Sequence, residues 1–342
     1  MHILRKLAFV MILSAALSPQ LIAQAGRTND AAPLVLTGAI PMPDVKGRID
    51  HFAFDSDHNR LFISALGNNT EEVIGLGTQT VIHVIPEVPV PQGVAYAPNA
   101  NKIFVGSDEG KLYVYDAGSF SLITSIDFGD DVDNLRYDGE TNRVYVGYGD
   151  QTTGAIGIVD VTTNKRLDGE FKLGAHPESF QLDSSGPRIF VNLPDLNQIA
   201  LIDRKTRAIT RWHLELSGNF PMALDEPHHR LFVATRSPAT MTVFDTDSGQ
   251  LVVSLPCVQD SDDLYYDVAR KRIYVSGGEG FISVFQQNDP DHYHLRAKIS
   301  TSVGARTAGY FGKGKKGFDR LYVAAPARAE RGAEVLIYTV QN

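Results

Sequence analysis

Cysteine is almost absent from this 342-residue sequence, in which Cys257 is the only copy. A chain with one cysteine forms no internal disulfide, so the fold must be held by packing alone. Basic residues are also in deficit, because 32 lysines and arginines face 40 aspartates and glutamates. This acidic balance argues against nucleic acid or an anionic lipid surface as the main partner.

Long hydrophobic runs are scarce too, and the one clear run lies near the start, at Leu7–Leu17. It follows a short basic region and precedes Ala23-Gln24-Ala25, which has the form of a cleavage site. We predict a cleavable signal peptide over residues 1–25, because this run is too short to span a bilayer. The sequence therefore predicts an exported protein, periplasmic or secreted, that has no transmembrane segment and is a monomer.

A five-residue pattern that recurs seven times dominates the rest of the chain. Each copy has a basic residue, an aliphatic, an aromatic, an aliphatic and a small residue, or a close variant of that order. The copies begin at residues 60, 102, 143, 188, 230, 272 and 320. Alternating β-branched and aromatic residues favour a buried strand. A period of about 40 to 50 residues is typical of a β-propeller, with one four-stranded blade per repeat.

The ends of the repeat region predict how the ring closes. The seventh repeat stops soon after its third strand, and an extra strand-like segment, residues 34–40, precedes the first repeat. We predict that this segment supplies the fourth strand of blade seven, because closure removes open sheet edges. Residues 26–342 are then one seven-bladed, all-β domain of four antiparallel strands per blade. The glycine- and lysine-rich stretch at 312–318 is expected to be a solvated hairpin tip.

The second strands resemble the repeat that gives the YVTN propellers their name. The resemblance is clearest in residues 144–147, 273–276 and 321–324, which read VYVG, IYVS and LYVA. Aspartates that end several third strands, such as Asp116 and Asp160, fit the same family. The chain is similar to the secreted, YncE-like YVTN propellers over nearly all of its mature length. The resemblance implies the fold and no particular activity, and no lactonase or lyase motif of more distant propellers can be matched here.

Candidate ligand-binding residues cluster in the segments that lead into the seven inner strands. Propellers bind ligands where such segments converge at one end of the central channel, and we call this end the mouth. Aligning the seven segments brings together acidic, basic and amide side chains from distant parts of the sequence. The candidates are Arg48, Asp50, His51, Gln92, Asp133, His176, Glu178, Asp262 and Arg306.

Several roles are open to these residues. Arg48 and Arg306 are expected to clamp an anionic group or to compensate the carboxylates. Asp133, Glu178 and Asp262 are candidates to hold a hard divalent cation such as Ca²⁺ or Mg²⁺. His51 or His176 is a candidate general base. Arg236, which follows the second strand of blade five, either reaches the mouth or is an ordinary surface arginine.

Two classes of function remain open from the sequence. The first is a binding or scaffold protein for a small molecule, an ion or a protein partner at the mouth. The alternative is a metal-assisted lyase or a lactonase-type hydrolase whose active site occupies the same place. The absence of a recognisable catalytic motif favours the first class. A mouth that is merely solvated, with no ligand, is the simplest competing interpretation.

Overall fold

The structure is a computed structural model that describes residues 31–312 and 319–342. The predicted signal peptide and the lysine-rich part of the predicted hairpin tip lie outside the described residues. Strand β1 spans Leu34–Met42 and precedes the blades. Blades one to three contain β2 (Phe52–Asp55), β3 (Arg60–Ala65), β4 (Thr70–Gly75), β5 (Thr80–Ile85), β6 (Pro91–Ala97), β7 (Lys102–Ser107), β8 (Lys111–Asp116), β9 (Leu122–Asp127), β10 (Val132–Asp138), β11 (Arg143–Tyr148), β12 (Ala155–Asp160), β13 (Lys165–Arg166) and β14 (Phe171–Lys172).

The remaining blades repeat this arrangement. Their strands are β15 (Phe180–Leu182), β16 (Arg188–Leu193), β17 (Gln198–Asp203), β18 (Ile209–His213), β19 (Ser217–Asp225), β20 (Arg230–Ser237), β21 (Ala239–Asp245), β22 (Leu251–Pro256), β23 (Ser261–Asp267), β24 (Arg272–Gly277), β25 (Phe281–Asp289), β26 (His292–Ser300), β27 (Ala308–Tyr310), β28 (Arg320–Ala325) and β29 (Ala333–Val340). Four single-turn 3₁₀ helices occupy Leu66–Asn68, Pro98–Ala100, Pro194–Leu196 and Glu226–His228. No helix among the described residues is long and apolar enough to cross a membrane.

The strands form seven antiparallel sheets, and the predicted seven-bladed β-propeller is confirmed. In each sheet the sequence repeat is the second strand from the channel, and its side chains are almost all buried between blades. Blade three departs slightly, because its outer strand is split into β13 and β14, which both pair with β12.

Ring closure also follows the prediction. Strand β1 pairs antiparallel with β29, with Leu34 opposite Val340 and Met42 opposite Ala333. It becomes the outer strand of blade seven, in the order β1-β29-β28-β27. Leu34, Ile40 and Met42 are at most 2% exposed, so they join the core between neighbouring blades. The last sheet is therefore completed by the first strand.

The tight turn before each second strand explains part of the repeat. The residue that precedes the basic position adopts a left-handed conformation in five blades, as at Asn59, Asn101 and Asn142. Asparagine tolerates this backbone better than most residues, since its side chain bonds locally. This left-handed residue lets the chain reverse within a short turn, so that the second strand can pair antiparallel with the first.

The recurrent basic residue joins neighbouring blades. Arg60 Nη1 donates a 2.8 Å hydrogen bond to the carbonyl of Ala117 in blade two, and Lys102 Nζ donates a 2.6 Å bond to Val161 in blade three. Equivalent bonds to the following blade come from Arg188, Arg230 and Arg272. The charged head of the recurrent residue therefore forms a specific bond to the next blade.

Glu71 is an unusual acid in the interior of blade one. Its side chain is fully buried in β4, accepts a hydrogen bond from Ser64 Oγ, and leaves Oε1 without a partner among the described residues. Burial raises the pKa of Glu71 well above its ordinary value. The folded protein thus favours the neutral acid.

We predict that deleting residues 26–41 exposes the edge of β29 and lowers the melting temperature by about 10 °C, because the buried side chains of Leu34 and Ile40 are lost. Differential scanning fluorimetry and size-exclusion chromatography measure the effect. Deleting residues 26–32 alone is the control and should leave both unchanged. A 26–41 deletion that stays as stable and monodisperse as the parent contradicts the prediction.

We predict that Glu71→Gln stabilises the protein at pH 8 by about 1–3 kcal/mol and has little effect at pH 5. The folded pKa of Glu71 is raised, so its contribution to stability is full at low pH and is lost as the pH rises. Urea unfolding at both pH values tests this. Glu215→Gln, at an exposed position, is the control, and an equal effect of Glu71→Gln at both pH values contradicts the prediction.

Candidate functional site

The strand register confirms that the seven entry segments are equivalent. Phe52, Val94, Leu135 and their counterparts all face the same position of the second strand, for example Phe52 opposite Ile63 and Leu135 opposite Val146. Two residues before each lie Asp50, Gln92, Asp133, Glu178, Phe220, Asp262 and Arg306. The seven positions found by aligning the entry segments of this sequence with one another are therefore equivalent in the fold.

A cavity of about 720 Å³ opens at the mouth. Seven of the nine candidate residues line it, namely Arg48, Gln92, Asp133, His176, Glu178, Asp262 and Arg306. The other two lie deeper. Asp50 is 1% exposed beneath Arg48, and His51 lines a second cavity further along the channel.

The mouth cavity is strongly acidic. Its lining has eight carboxylates against three arginines and one histidine. The acids are Asp108, Asp130, Asp131, Asp133, Asp150, Glu178, Asp195 and Asp262. Some of them serve only their own turns, since Asp150 accepts bonds from Thr152 and Thr153. The cavity nevertheless favours a cationic ligand over the anionic group suggested by its arginines.

The arginines that compensate the buried acids differ from those expected. Arg48 Nη2 lies 2.9 Å from Asp50 and 3.9 Å from Asp262, whereas Arg236 Nη2 donates a 2.7 Å bond to Asp262. Arg306 instead pairs at 3.1 Å with Asp260, whose side chain is 37% exposed. The proposed role of Arg306 in compensating the central carboxylates was therefore wrong in its partner. The position of Arg306 in the sequence could not show that its side chain lies closer to Asp260 than to the carboxylates of the ring.

Arg236 lines the mouth cavity and is therefore not an ordinary surface arginine. Its guanidinium lies 3.5 Å from the centre of the Phe220 ring and donates to the carbonyl of Ser261. The extra length of β20 carries the side chain there. The signal for this in the sequence is weak, and it consists of the position of Arg236 just beyond the repeated strand pattern.

The two histidines are poorly suited to act as general bases. Burial alone would lower the pKa of His51, but the neighbouring carboxylates of Asp50 and Asp263 raise it to about 10. Likewise Asp133 outweighs burial and raises the pKa of His176 to about 10. Both imidazoles thus hold a proton at neutral pH and cannot accept another. These raised pKa values do not support the general-base role considered for the two histidines, and His176 must lose its Nε2 proton when it binds a metal ion.

Three metal-ligating side chains converge within the cavity. Donor atoms of Asp133, His176 and Glu178 all lie within 4.8 Å of one another. The set contains one imidazole and two carboxylates. Asp262, the third acid expected from the sequence, belongs instead to the pair with Arg236. An imidazole in the set suits Zn²⁺ or Mn²⁺ better than Ca²⁺ or Mg²⁺, which prefer oxygen alone.

Two further observations support a ligand at the cluster of Asp133, His176 and Glu178. Asp133 is 7% exposed, and its Oδ1 has no hydrogen-bond partner among the described residues. His176 Nδ1 donates its proton to the carbonyl oxygen of Gly149, while Nε2 faces Asp133 at 3.8 Å. A metal-bound histidine commonly donates its other ring N–H to a backbone carbonyl in this way, which fixes the ring.

Proton uptake partly neutralises the acids in the absence of an ion. Burial and the nearby Asp133 raise the pKa of Glu178 to about 8. Burial and the same neighbour raise the pKa of Asp131 to about 7. Burial raises the pKa of Asp50 to about 6 despite the opposing charges of His51 and Arg48. Of these three acids, Glu178 holds its proton at neutral pH and lies in the metal-ligating cluster, where a bound cation would stabilise its ionised form instead.

Comparison with known proteins supports the fold at low sequence identity. No protein-family model matches the chain, and no curated protein matches it. Among solved structures, Kuenenia stuttgartiensis hydrazine synthase is similar, with a TM-score of 0.72 and 16% identity over 90% of this chain and 98% of that one. The mitotic checkpoint complex gives 0.73 and 13% identity over 99% of each chain. The WD40 repeats of RRP9 give 0.72 and 11% identity over 89% and 99%. These likenesses define the seven-bladed propeller fold alone.

We predict that Arg236→Met destabilises the protein by about 2–4 kcal/mol, because it leaves the buried carboxylate of Asp262 without its closest cation. The matched control is Arg306→Met, which removes a half-exposed partner of Asp260 and should cost no more than about 1 kcal/mol. Chemical unfolding at pH 7 measures both. Equal effects of the two substitutions would contradict this assignment of charge pairs.

Proposed function

We propose that this protein is an exported, YVTN-type β-propeller that binds a divalent cation at its mouth and, through that ion, a small-molecule ligand. The observation that carries the proposal is the convergence of Asp133, His176 and Glu178 in an acidic cavity. The unpartnered Oδ1 of the buried Asp133 supports it further.

The family assignment and the export rest on sequence features. The strands of the YVTN type and the third-strand aspartates support the family. Asp116 and Asp160 accept bonds from the turn residues that follow them, which gives those aspartates a structural reason to recur. The apolar run at 7–17 and the A-x-A site support a periplasmic or secreted location.

The cavity favours a small molecule over a protein partner. Its volume of about 720 Å³ is in the range of small-ligand sites, which are concave and carry a few polar groups. Three protein ligands leave further coordination positions of an ion open toward the cavity. A ligand that offers a carboxylate, hydroxyl or amine would bind at those positions, with Arg236 and Phe220 at the wall.

A metal-assisted lyase or hydrolase is the second candidate. One histidine and two carboxylates with open positions form a donor set that enzymes also use. A bound ion of this kind polarises a substrate oxygen or lowers the pKa of a bound water. The protonated state of His51 and His176 in the absence of an ion gives no support to a histidine base, so the binding function is favoured.

We predict that protein stripped with EDTA binds one Zn²⁺ or Mn²⁺ ion more tightly than Ca²⁺ or Mg²⁺. His176→Gln and Glu178→Gln should each weaken binding at least about tenfold, since even outer-shell partners of metal ligands contribute that much. Isothermal titration calorimetry at pH 8 measures both. His213→Gln, at an exposed position of β18, is the control. Binding of no ion, or unchanged affinity in both variants, overturns the proposal.

A further inference from the structure

A second cavity, of about 570 Å³, occupies the other end of the channel. We call it the far cavity. It is lined by the later residues of the inner strands and by the turns that follow them, including Phe54, Ser56, Pro98 and Tyr266. It is thus separate from the mouth, which is formed by the segments that precede the same strands.

Aromatic rings form much of the wall of the far cavity. Phe54, Tyr96, Tyr137, Tyr266 and Phe311 line it, and each is half-buried. The tyrosine hydroxyls are held by the protein, since Tyr96 donates to Asn101 and Tyr137 donates to Asn142. Phe54 and Phe311 stack with their ring centres 4.8 Å apart. The rings are fixed and present apolar surface to the cavity.

The far cavity holds one basic side chain that forms no ion pair within the described part of the chain. Three charged side chains line the cavity, and two of them, His51 and Asp263, lie 3.5 Å apart and pair with each other. The third, Arg136, has no carboxylate within ion-pairing distance in residues 31–312 and 319–342. Its guanidinium donates only to the carbonyl of Leu135 and to Ser179 Oγ at 3.3 Å, and it lies over the Phe180 ring.

An arginine in this position is costly unless something compensates it. Burial lowers the pKa of Arg136, and the charges of Tyr265, Asp263 and Asp133 offset this loss of hydration only in part. A guanidinium offers five donors in a planar fork, and two bonds leave donors available. A carboxylate is the group that matches this fork in shape and charge.

We propose that the far cavity binds a small organic acid whose carboxylate contacts Arg136 and whose ring stacks on the aromatic wall. Ring stacking in an offset or edge-on arrangement is favourable for flat ligands. The cavity volume is sufficient for one such molecule together with water. The far cavity would recognise its ligand through a guanidinium, whereas the mouth would hold a metal ion through two carboxylates and an imidazole, so the two sites recognise different groups.

The test uses the mature protein and three probes: 2-naphthoate, its neutral analogue 2-naphthamide, and acetate. Isothermal titration calorimetry or ligand-observed NMR should show one naphthoate per chain. Naphthamide, which lacks the charge, and acetate, which lacks the ring, should each bind about tenfold more weakly or worse. Failure of naphthoate to bind, or equal binding of naphthoate and naphthamide, overturns the proposal.

Variants locate the site. Arg136→Gln should weaken naphthoate about tenfold while leaving naphthamide nearly unchanged, and Arg136→Lys should weaken it less because the charge remains. Arg143→Gln, a basic residue outside the cavity, is the matched control. Glu178→Gln should not alter naphthoate binding, and Arg136→Gln should not alter metal binding. Unchanged naphthoate affinity in Arg136→Gln overturns the proposal; if that variant fails to fold, Arg136→Lys and the naphthamide comparison decide.

Discussion

The pairing of β1 with β29 is the constraint on which the rest of the molecule depends. A seven-bladed ring has no open edge only if its last sheet is completed, and here the first strand completes it. Closure also fixes the segment that follows β1 and enters the mouth. Arg48 accepts a bond at its carbonyl from Gly67, and a side chain at Gly67 would come within 2.6 Å of the Arg48 nitrogen. The strand that closes the ring therefore also positions Arg48 and Asp50.

The mouth concentrates charges that a propeller does not need for folding. Buried acids such as Asp50 and Asp262 have oxygens without hydrogen-bond partners among the described residues, and such groups cost stability. Arg48 and Arg236 offset part of that cost. The blade contacts made by Arg60, Lys102 and their equivalents are far from the mouth and are independent of it. Stability and binding are thus carried by different parts of each repeat.

The regularity of the repeat made the fold and the ring of candidate residues predictable. Because every inner strand pairs with its neighbour in the same register, counting back from the turn found equivalent positions such as Asp133 and Glu178 correctly. Contacts that depend on irregular features could not be predicted in this way. The reach of Arg236 depends on the longer β20, and the orientation of His176 depends on the Gly149 carbonyl. Arg306 is the reverse case, because it belongs to the ring but its side chain pairs with Asp260, which lies outside the ring.

The far cavity could not be predicted from the sequence, for a related reason. Tyr137 and Tyr266 each lie two residues after a core leucine of the same strand, Leu135 or Leu264, and this spacing alone indicates burial between blades. Seven blades leave a channel between their inner strands, so these rings face a cavity as well as a core.

His51 connects the two ends of this channel, since its Nε2 lies 3.7 Å from Asp133 and its Nδ1 lies 3.5 Å from Asp263. A change of charge at Asp133 therefore alters the electrostatic potential at the His51 imidazole, which also borders the far cavity. Any influence of one cavity on the other would act through this side chain and, by linkage, would be equal in both directions, and the independence expected of the two sites means that this influence is small.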